Sequence, residues 1–525
     1  MTRALRGIAL LATLVGACSG VTTIVATAAN PVTPEVTVDT TADTVGTAMS
    51  DTTPNCASPC SLRKAIQYAN RDLRYGSTVI HLPAGDYVLT RPQDDSDLAS
   101  GGDLSVYGRT RIVGAGAATT IIEQSPNVAE RVFEVYAPLQ VSGVTIRNGR
   151  ANGDGRGGGG ILVQSQGSME MSESVVTHNQ ASIASQGFDS GYGGGIGVHT
   201  FPGHTVVLHE VTISANNAEA GGGGVDVKGG SLTIYNSTIS ANTCSPAGTC
   251  HGGGAFTSAA LNLTNDTIDG NTADQGGGLY SDGGNALVTN VTFSANAINS
   301  NHSLAVRRAS RGQTTVATPL NGAAIFAQGY SGLASVTLAN SIISGNPLDE
   351  CGQATDSPPQ PQAPLTSGGS NIDDGASCLL TATGDQPATD AHLGALKDNG
   401  GPTLTRAIGP GSPALDAVKG TCPPPARDQR DVPRASAAAR SGSACDIGAY
   451  EYQAPAPVAT PSPSPTAIVQ DVIVYVPYTP RLPEAGSRPA RQAPAAGALL
   501  ALVLCAGALI PLAGRRVVRS VRRRR

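Results

Sequence analysis

The chain has no tryptophan, and its other aromatic residues and its charged residues are scarce. Aromatic residues make up 4% and charged residues 14% of its 525 residues. A charged fraction this low is unusual for a cytosolic globular protein. The absence of tryptophan also weakens any site that would stack sugar rings on a large aromatic face.

Recognisable catalytic and metal-binding motifs are missing as well. No two cysteines follow a C-x₂-C spacing, and no histidines stand at ligand spacing. Asp266 and Asp269 flank Ile268, which is predicted to face inward, so both are expected on a solvated edge. The stretch GGGGVDVKG, Gly221–Gly229, resembles one imperfect copy of a calcium-binding nonapeptide, with Lys228 at its apolar position. We therefore name no catalytic residue, no metal ligand and no cofactor, and calcium is the one candidate ion.

A short motif that ends in asparagine recurs along the middle of the chain. It reads VVTHN, VTISAN, STISAN, DTIDGN, VTFSAN and SIISGN. The asparagines that end these copies are Asn179, Asn216, Asn242, Asn271, Asn296 and Asn346. Each has an apolar residue three positions before it, and clusters of glycine lie between the copies. The steps between copies are 37, 26, 29, 25 and 50 residues.

This repeat predicts stacked coils of short strands. Equivalent strands of successive coils would pair in parallel about 4.8 Å apart, with Val, Ile and Leu filling a narrow core. The asparagines would occupy one corner and hydrogen-bond the backbone of neighbouring coils, and the glycines would occupy another corner. The fold class is therefore all-β, as a parallel β-helix. A β-sandwich is the alternative, but it would not show this fixed phase of asparagine and glycine.

One short helix is predicted ahead of the first strand. CSLRKAIQYANRD, residues 60–72, places apolar residues at helical spacing. These residues are Leu62, Ala65, Ile66 and Ala69. The open end of a coil exposes core side chains and strand edges, so we expect this N-terminal helix to cap it. Its polar residues, among them Arg63 and Gln67, would face water or satisfy edge groups.

Both ends of the chain carry targeting signals. Residues 1–30 read as a secretory signal peptide, with Arg3 and Arg6 before an apolar run. VGAC, which ends at Cys18, also resembles a lipobox. Residues 494–514 are uncharged and are followed by seven arginines, which predicts a C-terminal membrane-spanning helix with a cytoplasmic tail.

A sorting-signal candidate precedes the hydrophobic segment. It consists of Leu482, Pro483, Glu484, Ala485 and Gly486, with Ala485 where a sortase signal usually has threonine. Cleavage before Gly486 would attach the protein to the wall, and a plain membrane anchor is the alternative. Either one predicts a protein held at the cell surface.

The exported part of the chain is acidic. Without the arginines of both ends, the formal net charge falls from −5 to −16 for residues 31–486. We therefore expect no nucleic-acid partner. The expected partners are an extracellular polysaccharide or the surface of a host or neighbouring cell, the membrane, and a sortase.

Three segments resemble known families. VTVDTTADTVG, CSLRKAIQYAN and HLPAGDYVLT look like the CSLREA domain found before bacterial right-handed β-helices, with Lys64 in place of the usual Glu. LGALKDNGGPTLTRAIGPGSPALDA, DQRDVPR and ACDIGAYEY resemble a choice-of-anchor Q segment, with Asp431 in place of the usual Gly. The repeats resemble the pectin-lyase-like superfamily. Together the resemblances cover residues 35–452 and imply surface-displayed, right-handed β-helices, with no established reaction.

Eight cysteines outside the hydrophobic ends predict four disulfides in an oxidising compartment. They are Cys56, Cys60, Cys244, Cys250, Cys351, Cys378, Cys422 and Cys445. The choice-of-anchor resemblance supports a bond between Cys422 and Cys445. Cys351 with Cys378 would tie off the last coil, and the other two neighbouring pairs would close small loops.

The predicted organisation follows from these features. It comprises a signal peptide (1–30), a CSLREA-type cap (31–77), β-helix repeats (78–350), the β-helix end with a choice-of-anchor Q-like segment (351–452), a Pro-rich spacer (453–481), and the LPEAG-like signal, transmembrane segment and basic tail (482–525). The predicted function is a structural, adhesive or polysaccharide-binding role at the cell surface. The alternative is a polysaccharide lyase or glycoside hydrolase of the pectin-lyase-like superfamily. A groove with converging Asp, Glu and Arg would favour the enzyme, and a flat Thr- and Asn-lined face would favour binding or structure.

Overall fold

A computed structural model describes most of the chain between residues 33 and 454. The described residues are 33–46, 56–71, 76–92, 99–151, 156–183, 190–245, 250–299, 322–329, 336–355, 365–420, 422, 425–434 and 445–454. The predicted signal peptide, the sorting-signal candidate at 482–486 and the predicted membrane segment at 494–514 lie outside them. Within the described ranges, no helix has the length and apolar character needed to cross a membrane.

Short strands follow one another along the chain, with one helix near the start. The first elements are β1 (Glu35–Thr37), α1 (Leu62–Arg71), β2 (Thr78–Leu82), β3 (Gly85–Leu89), β4 (Leu104–Val106), β5 (Thr110–Gly114), β6 (Thr120–Gln124), β7 (Phe133–Val135), β8 (Pro138–Ser142), β9 (Thr145–Arg147) and β10 (Arg150–Ala151). The next are β11 (Ile161–Ser165), β12 (Ser168–Ser172), β13 (Val175–Thr177), β14 (Gln180–Ala181), β15 (Ile196–Thr200), β16 (Thr205–His209), β17 (Thr212–Ser214), β18 (Asn217–Ala218), β19 (Val225–Gly229), β20 (Ser231–Tyr235), β21 (Thr238–Ser240) and β22 (Thr243–Cys244).

The second half of the stack repeats the same order of strands. Its strands are β23 (Ala255–Thr257), β24 (Ala260–Thr264), β25 (Thr267–Asp269), β26 (Thr272–Ala273), β27 (Leu279–Asp282), β28 (Asn285–Thr289), β29 (Thr292–Ser294), β30 (Ala297–Ile298), β31 (Ile325–Gly329), β32 (Val336–Ala339), β33 (Ile342–Ile343), β34 (Cys351–Thr355), β35 (Leu365–Ser367), β36 (Ile372–Asp373) and β37 (Gln386–Pro387). A final hairpin consists of β38 (Leu396–Lys397) and β39 (Thr405–Arg406).

Four parallel sheets run along the stack. Sheet A contains β1, β2, β5, β8, β12, β16, β20, β24, β28, β32 and β35; sheet B contains β3, β6, β9, β13, β17, β21, β25, β29, β33, β36 and β37; sheet C contains β4, β7, β11, β15, β19, β23, β27, β31 and β34; and sheet D contains β10, β14, β18, β22, β26 and β30. A full coil passes through sheets C, A, B and D in that order. This arrangement is that of a parallel β-helix and confirms the predicted all-β fold. The right hand of the coil stays a prediction.

The apolar residue of each repeat faces the core. Val176, Ile213, Ile239, Ile268 and Phe293 are successive partners in sheet B, and all are fully buried. Side chains alternate between the two faces of a strand, so such columns fill the interior while their neighbours point outward. Each buried aliphatic side chain contributes about 1.5–3 kcal/mol relative to an exposed one.

The repeated asparagines form a continuous hydrogen-bonded column after sheet B. The Nδ2 atom of Asn242 donates to Ile213 O at 2.9 Å and to Asn271 Oδ1 at 3.0 Å. Its Oδ1 atom accepts from the backbone N and the Nδ2 of Asn216, both at 3.0 Å. The same pattern joins Asn179, Asn216, Asn242, Asn271, Asn296 and Asn346. Each amide therefore satisfies backbone groups that a sharp turn would otherwise leave buried without partners.

The glycine clusters occupy the next turn, between sheets D and C, and they lie against this column. A Cβ atom added to Gly224 would lie 3.0 Å from Asn242 Nδ2 and 2.6 Å from Gly254 O. Gly222, the second glycine of the same cluster, has a φ of +63°. Sheet D is only two residues wide, so the chain returns at once to the asparagine column. Only glycine combines this close approach with the left-handed turn.

Helix α1 lies at the start of the stack, beside β4 and β2. Ser61 Oγ accepts the Lys64 N–H at 3.2 Å and caps the helix. Asn70 accepts the N–H groups of Tyr107 and Gly108 and donates to Ser105 O at 2.8 Å. Those groups belong to and follow β4, the edge strand of sheet C, so the helix satisfies a strand edge.

Arg63 is buried under the helix. Its Nε atom lies 2.6 Å from Asp43 Oδ1, and both side chains are at most 1% exposed. Its other nitrogens donate to the carbonyls of Ala99, Gly101, Gly102 and Asp103. The guanidinium thus binds carbonyl groups of the turn at residues 99–103, which precedes β4.

The C-terminal segment folds back over the outside of sheet B. We call this segment the strap; it comprises residues 388–420, 425–434 and 445–454. Its Thr403 Oγ1 donates to Asn236 O at 2.9 Å, and its Gln429 accepts from Thr267 Oγ1 at 2.6 Å. An apolar cluster of Ile342 with the strap residues Ala414 and Ile447 supports the same contact.

The strap and the corners overturn one prediction about acidic residues. Asp266 is fully buried and accepts N–H groups of Ser237 and Thr264, both at 2.8 Å. Asp269 is paired with Arg406 of the strap and is 7% exposed. Neither residue lies on a solvated edge. Backbone N–H groups bind Asp266 in place of water, and the strap covers Asp269.

All eight predicted cysteines form disulfides. The pairs are Cys56–Cys60, Cys244–Cys250, Cys351–Cys378 and Cys422–Cys445. The third pair joins β34 to the turn beyond β36 at the end of the stack, and the fourth joins Cys445 of the strap to Cys422.

Candidate functional site: the outer face of sheet A

Sheet A presents one outward row of side chains that runs the length of the coil. In register from one end to the other, the row is Val79, Arg111, Gln140, Glu170, Val207, Thr233, Asn262, Leu287, Thr337 and Thr366. Successive members are about 4.8 Å apart, because each belongs to the next strand of a parallel sheet. The row is therefore a regular, rigid series of polar and apolar contacts.

A groove crosses the first half of this face. It consists of two cavities of about 510 and 200 Å³, and both are lined by Gln140 and Glu170. The larger cavity is lined by Ser77, Arg109, Thr110, Pro138, Leu139, Gln140, Ser168, Met169, Glu170, Thr205 and Val207. The smaller one adds Arg111, Ile112, Val141, Ser142 and Ser172. The groove thus runs across β5, β8, β12 and β16, along the axis of the stack.

The groove is cationic at its β5 end. Arg109 and Arg111 are both exposed, and neither forms an ion pair with any residue that the structure describes. They stand two residues apart, so they point to the same side of the sheet. At the next strands, Gln140 Nε2 donates to Glu170 Oε2 at 2.9 Å. Glu170 is the single carboxylate among the lining residues.

The second half of the face is lined mainly by threonine and asparagine, together with the exposed Leu287. Asn262 Nδ2 donates to Thr233 Oγ1 at 3.3 Å, and the hydroxyls of Thr337 and Thr366 are 3.2 Å apart. His209 and Tyr235 stack beside the row with ring centroids 5.2 Å apart. These contacts join side chains of neighbouring coils. They do not place a carboxylate beside a basic side chain, as a catalytic acid–base pair would require.

A second polar cluster lies on the outer side of sheet C near its first strands. Arg131 lies 3.4 Å from Asp103 Oδ2 and 3.7 Å from Glu134 Oε1. Arg156 contacts the same Glu134 oxygen at 2.6 Å and donates to Tyr136 Oη at 3.2 Å. Burial raises the pKa of the Asp103 carboxyl, and the charge of Arg131 opposes that shift. Acids and arginines do converge here, but each carboxylate is neutralised by an arginine.

The nonapeptide-like stretch does not assemble an ion site. Asp226 is fully buried, and its Oδ2 lies 2.6 Å from His199 Nε2. Lys228 places its ammonium 3.1 Å from the centre of the Tyr192 ring. Across the described parts of the chain, no group of three or more His, Cys, Asp or Glu side chains is arranged to hold a metal ion.

The predicted site residues and the groove are different parts of the molecule. The asparagine column lies inside the turn after sheet B, and the disulfides lie at turns, at the stack's end and in the strap. Sequence reasoning missed Arg109, Arg111, Gln140 and Glu170, because single polar residues on short strands look like any solvated face. The alternation of RTR at 109–111 was the one signal, since it placed two cations on one side of a strand.

Comparisons with known proteins add little to this description. No protein-family model matches the chain, and no curated protein matches it. A solved structure titled Geobacillus virus E2 - ORF18 is similar at 12% sequence identity and a TM-score of 0.28. The similarity covers 57% of this chain and 56% of that one, so the chain spans about half the length of that structure. At this TM-score the likeness carries no argument about function.

Proposed function

We propose that this protein is a secreted, cell-surface β-helix that binds an extended polysaccharide along the outer face of sheet A. The observation that carries the proposal is the open groove of about 510 Å³ that crosses successive coils of that face. The proposal includes a CSLREA-type cap at the N-terminus and a choice-of-anchor Q-like segment at the C-terminus. It also includes attachment by the C-terminal membrane segment or by a sortase, and it needs no cofactor.

The chemistry of the lining suits sugar hydroxyls. Gln140 and Glu170 offer donors and acceptors in the middle of the groove, and Ser168 and Thr205 offer hydroxyls at its side. Pro138 and Val207 supply apolar surface for ring faces. All of these residues belong to strands held by neighbours on both sides, so the groove is preorganised and loses little entropy on binding.

A polysaccharide screen on the full chain tests the proposal. We expect the protein to bind at least one extracellular polysaccharide, and a Gln140→Ala/Glu170→Ala variant to bind it about tenfold or more weakly. The matched control is Asn262→Ala on the second half of the same face, outside both cavities. Failure of the protein to bind any polysaccharide, or equal affinity of the groove variant and the control, would refute the proposal.

A polysaccharide lyase or glycoside hydrolase is the second candidate, and the sheet C cluster is the observation that favours it. Such enzymes need paired carboxylates, and Asp103 and Glu134 lie on either side of Arg131. The same screen distinguishes the two functions, because an enzyme releases shorter chains from the bound polymer. Release that is lost in Glu134→Gln would favour the enzyme, and binding without release favours the primary proposal.

A further inference from the structure

The strap crosses four consecutive coils of sheet B. Its Thr403 bonds to Asn236, which precedes β21, and Arg406 pairs with Asp269 of β25. Further on, the N–H of Ala449 donates to Thr292 Oγ1 of β29 at 3.1 Å. The N–H of Gly448 donates at 3.0 Å to the carbonyl of Asn340, which precedes β33. The strands β21, β25, β29 and β33 are direct neighbours in the sheet.

Gln429 joins the strap to two of these coils and to itself. It is fully buried, and its Nε2 atom lies 3.0 Å from Ser237 O and from Leu404 O. Its Oε1 atom accepts from Thr267 Oγ1 at 2.6 Å. One side chain therefore bonds to the β-helix and to an earlier part of the strap, and removing it would leave buried polar groups without partners.

Arg434 makes a second buried junction. Its Nη2 donates to Asn265 Oδ1 at 3.0 Å and to Gly448 O at 2.7 Å. Its Nη1 lies 3.5 Å from Glu451 Oε2. The guanidinium thus holds the last described stretch of the strap against the coil that contains β25.

Close packing completes the contact at Gly448. A Cβ atom there would lie 2.7 Å from Ile342 Cδ1 and 2.9 Å from Thr292 Oγ1, and φ is +95°. The strap backbone therefore rests directly on two coils. No larger residue fits without moving it away from the sheet.

The chain leaves for its proposed C-terminal attachment from the strap, and not from the last coil of the stack. Residue 454 follows directly on the contacts of Gly448 and Ala449. In a solenoid each coil contacts only its neighbours, so tension on a terminal coil would peel coils away one by one. Tension that enters through the strap instead acts on contacts to several coils at once.

We propose that the strap is a tension clasp, which distributes pulling force from the C-terminal attachment over four coils of sheet B. The inference rests on the C-terminal attachment in the proposed function, but not on polysaccharide binding. The clasp resists force because its buried bonds to successive coils must break together. If one buried junction, such as that of Gln429, is removed, the remaining bonds between the strap and the coils should break one after another at lower force.

Single-molecule stretching of the full chain, held at its C-terminus and through an attachment on β20 of sheet A, tests the clasp because the four coils that contact the strap then lie between the two handles. We expect the intact protein to resist constant force and then open in one large step. In Gln429→Ala the opening rate under the same force should rise about tenfold or more. Its coils from β34 to β37 should open earlier, in separate small steps. The control is Asn262→Ala on sheet A, whose side chain bonds to Thr233 of the same sheet and not to the strap, and it should behave like the intact protein.

A second variant and a measurement without force keep the test decisive. Gly448→Ala weakens the clasp by sterics rather than by a lost hydrogen bond, and it should shift the opening rate in the same direction. Circular dichroism without force verifies that both variants are folded before stretching. Equal opening rates for folded clasp variants and the control, or coil-by-coil peeling of the intact protein, would overturn the inference. The stretching experiment pulls on the C-terminus directly, so its result does not depend on whether the protein is attached to the cell surface. Fractionation of cells tests that attachment separately.

Discussion

At the scale of single residues, buried polar side chains complete the hydrogen bonds of the coil. Each asparagine of the column bonds to the backbone of the preceding coil and to the asparagine of the following one. The column ends at Glu350, which accepts the Asn346 N–H at 3.3 Å and its Nδ2 at 2.5 Å. A carboxyl group thus takes the place that another asparagine occupies elsewhere.

Glu350 makes the stability of the protein depend on pH. Burial, followed by the neighbouring Asp374, raises its pKa to about 10. The same group has a pKa of about 4.3 when the chain is unfolded. Between these values the folded protein holds a proton that the unfolded chain releases, so the free energy of unfolding decreases as the pH rises through this window.

We expect Glu350→Gln to flatten this pH dependence. Glutamine is neutral at every pH and still offers an oxygen to Asn346 and an N–H to Asp374. Urea unfolding at about pH 5, 7 and 9 measures the slope. Glu170→Gln, at an exposed glutamate of the groove, is the control and should keep the slope of the unmodified protein. An unchanged slope in Glu350→Gln would show that Glu350 is ionised when buried.

At the scale of elements, α1 is fixed by polar contacts as well as by its apolar face. The repeat of Leu62, Ala65, Ile66 and Ala69 predicts which side is buried, and all four are buried. The same pattern left two possibilities for Arg63, which were to face water or to satisfy edge groups. Arg63 is buried because Asp43 and a row of turn carbonyls come from distant parts of the chain.

We expect Arg63→Met to destabilise the protein by about 3–5 kcal/mol, because Asp43 would keep a buried charge without its partner. The neighbouring Lys64→Met is the control, with an effect of about 0.5 kcal/mol or less. Lys64 makes one exposed bond, to Pro59 O at 2.8 Å. Urea unfolding of both variants measures the difference. Similar stabilities for the two would mean that the Arg63 contacts contribute nothing net.

At the scale of the whole molecule, the stack is closed at both ends and covered on one face. Helix α1 covers the first strands, the disulfide Cys351–Cys378 ties the last coils, and the strap covers part of sheet B. Sheet A keeps an open outer face, which is where the groove lies. The closed ends limit coil-by-coil opening, which is the weakness of a solenoid.

The end disulfide should matter more than the one beside the helix. Cys351 and Cys378 are 27 residues apart, and Cys56 and Cys60 are only four apart. In the chain-entropy model a loop of the larger size contributes about 3 kcal/mol or more, and a small loop contributes less. We therefore expect Cys351→Ala/Cys378→Ala to lower the free energy of unfolding more than Cys56→Ala/Cys60→Ala does. Urea unfolding without reductant measures both, and the reverse order would contradict this view of the end coil.

The sequence by itself determined the coil. The fixed phase of apolar residue, asparagine and glycine recurs in six copies along the middle of the chain, so strand pairing, the core column and the asparagine column there are local consequences of one motif. The apolar face of α1 is readable for the same reason. These features need only the spacing of residues along the chain.

Only the tertiary structure decided what faces outward and what covers it. Gln429 meets Thr267 and Arg406 meets Asp269 across the strap contact, although the partners are far apart in sequence, and no periodicity links the strap to sheet B. The groove likewise joins Arg111, Gln140 and Glu170 from three coils, each an ordinary polar residue on its own strand. The strap contact depends on where the chain beyond the last coil packs, and the groove depends on which outward side chains the strand register places side by side.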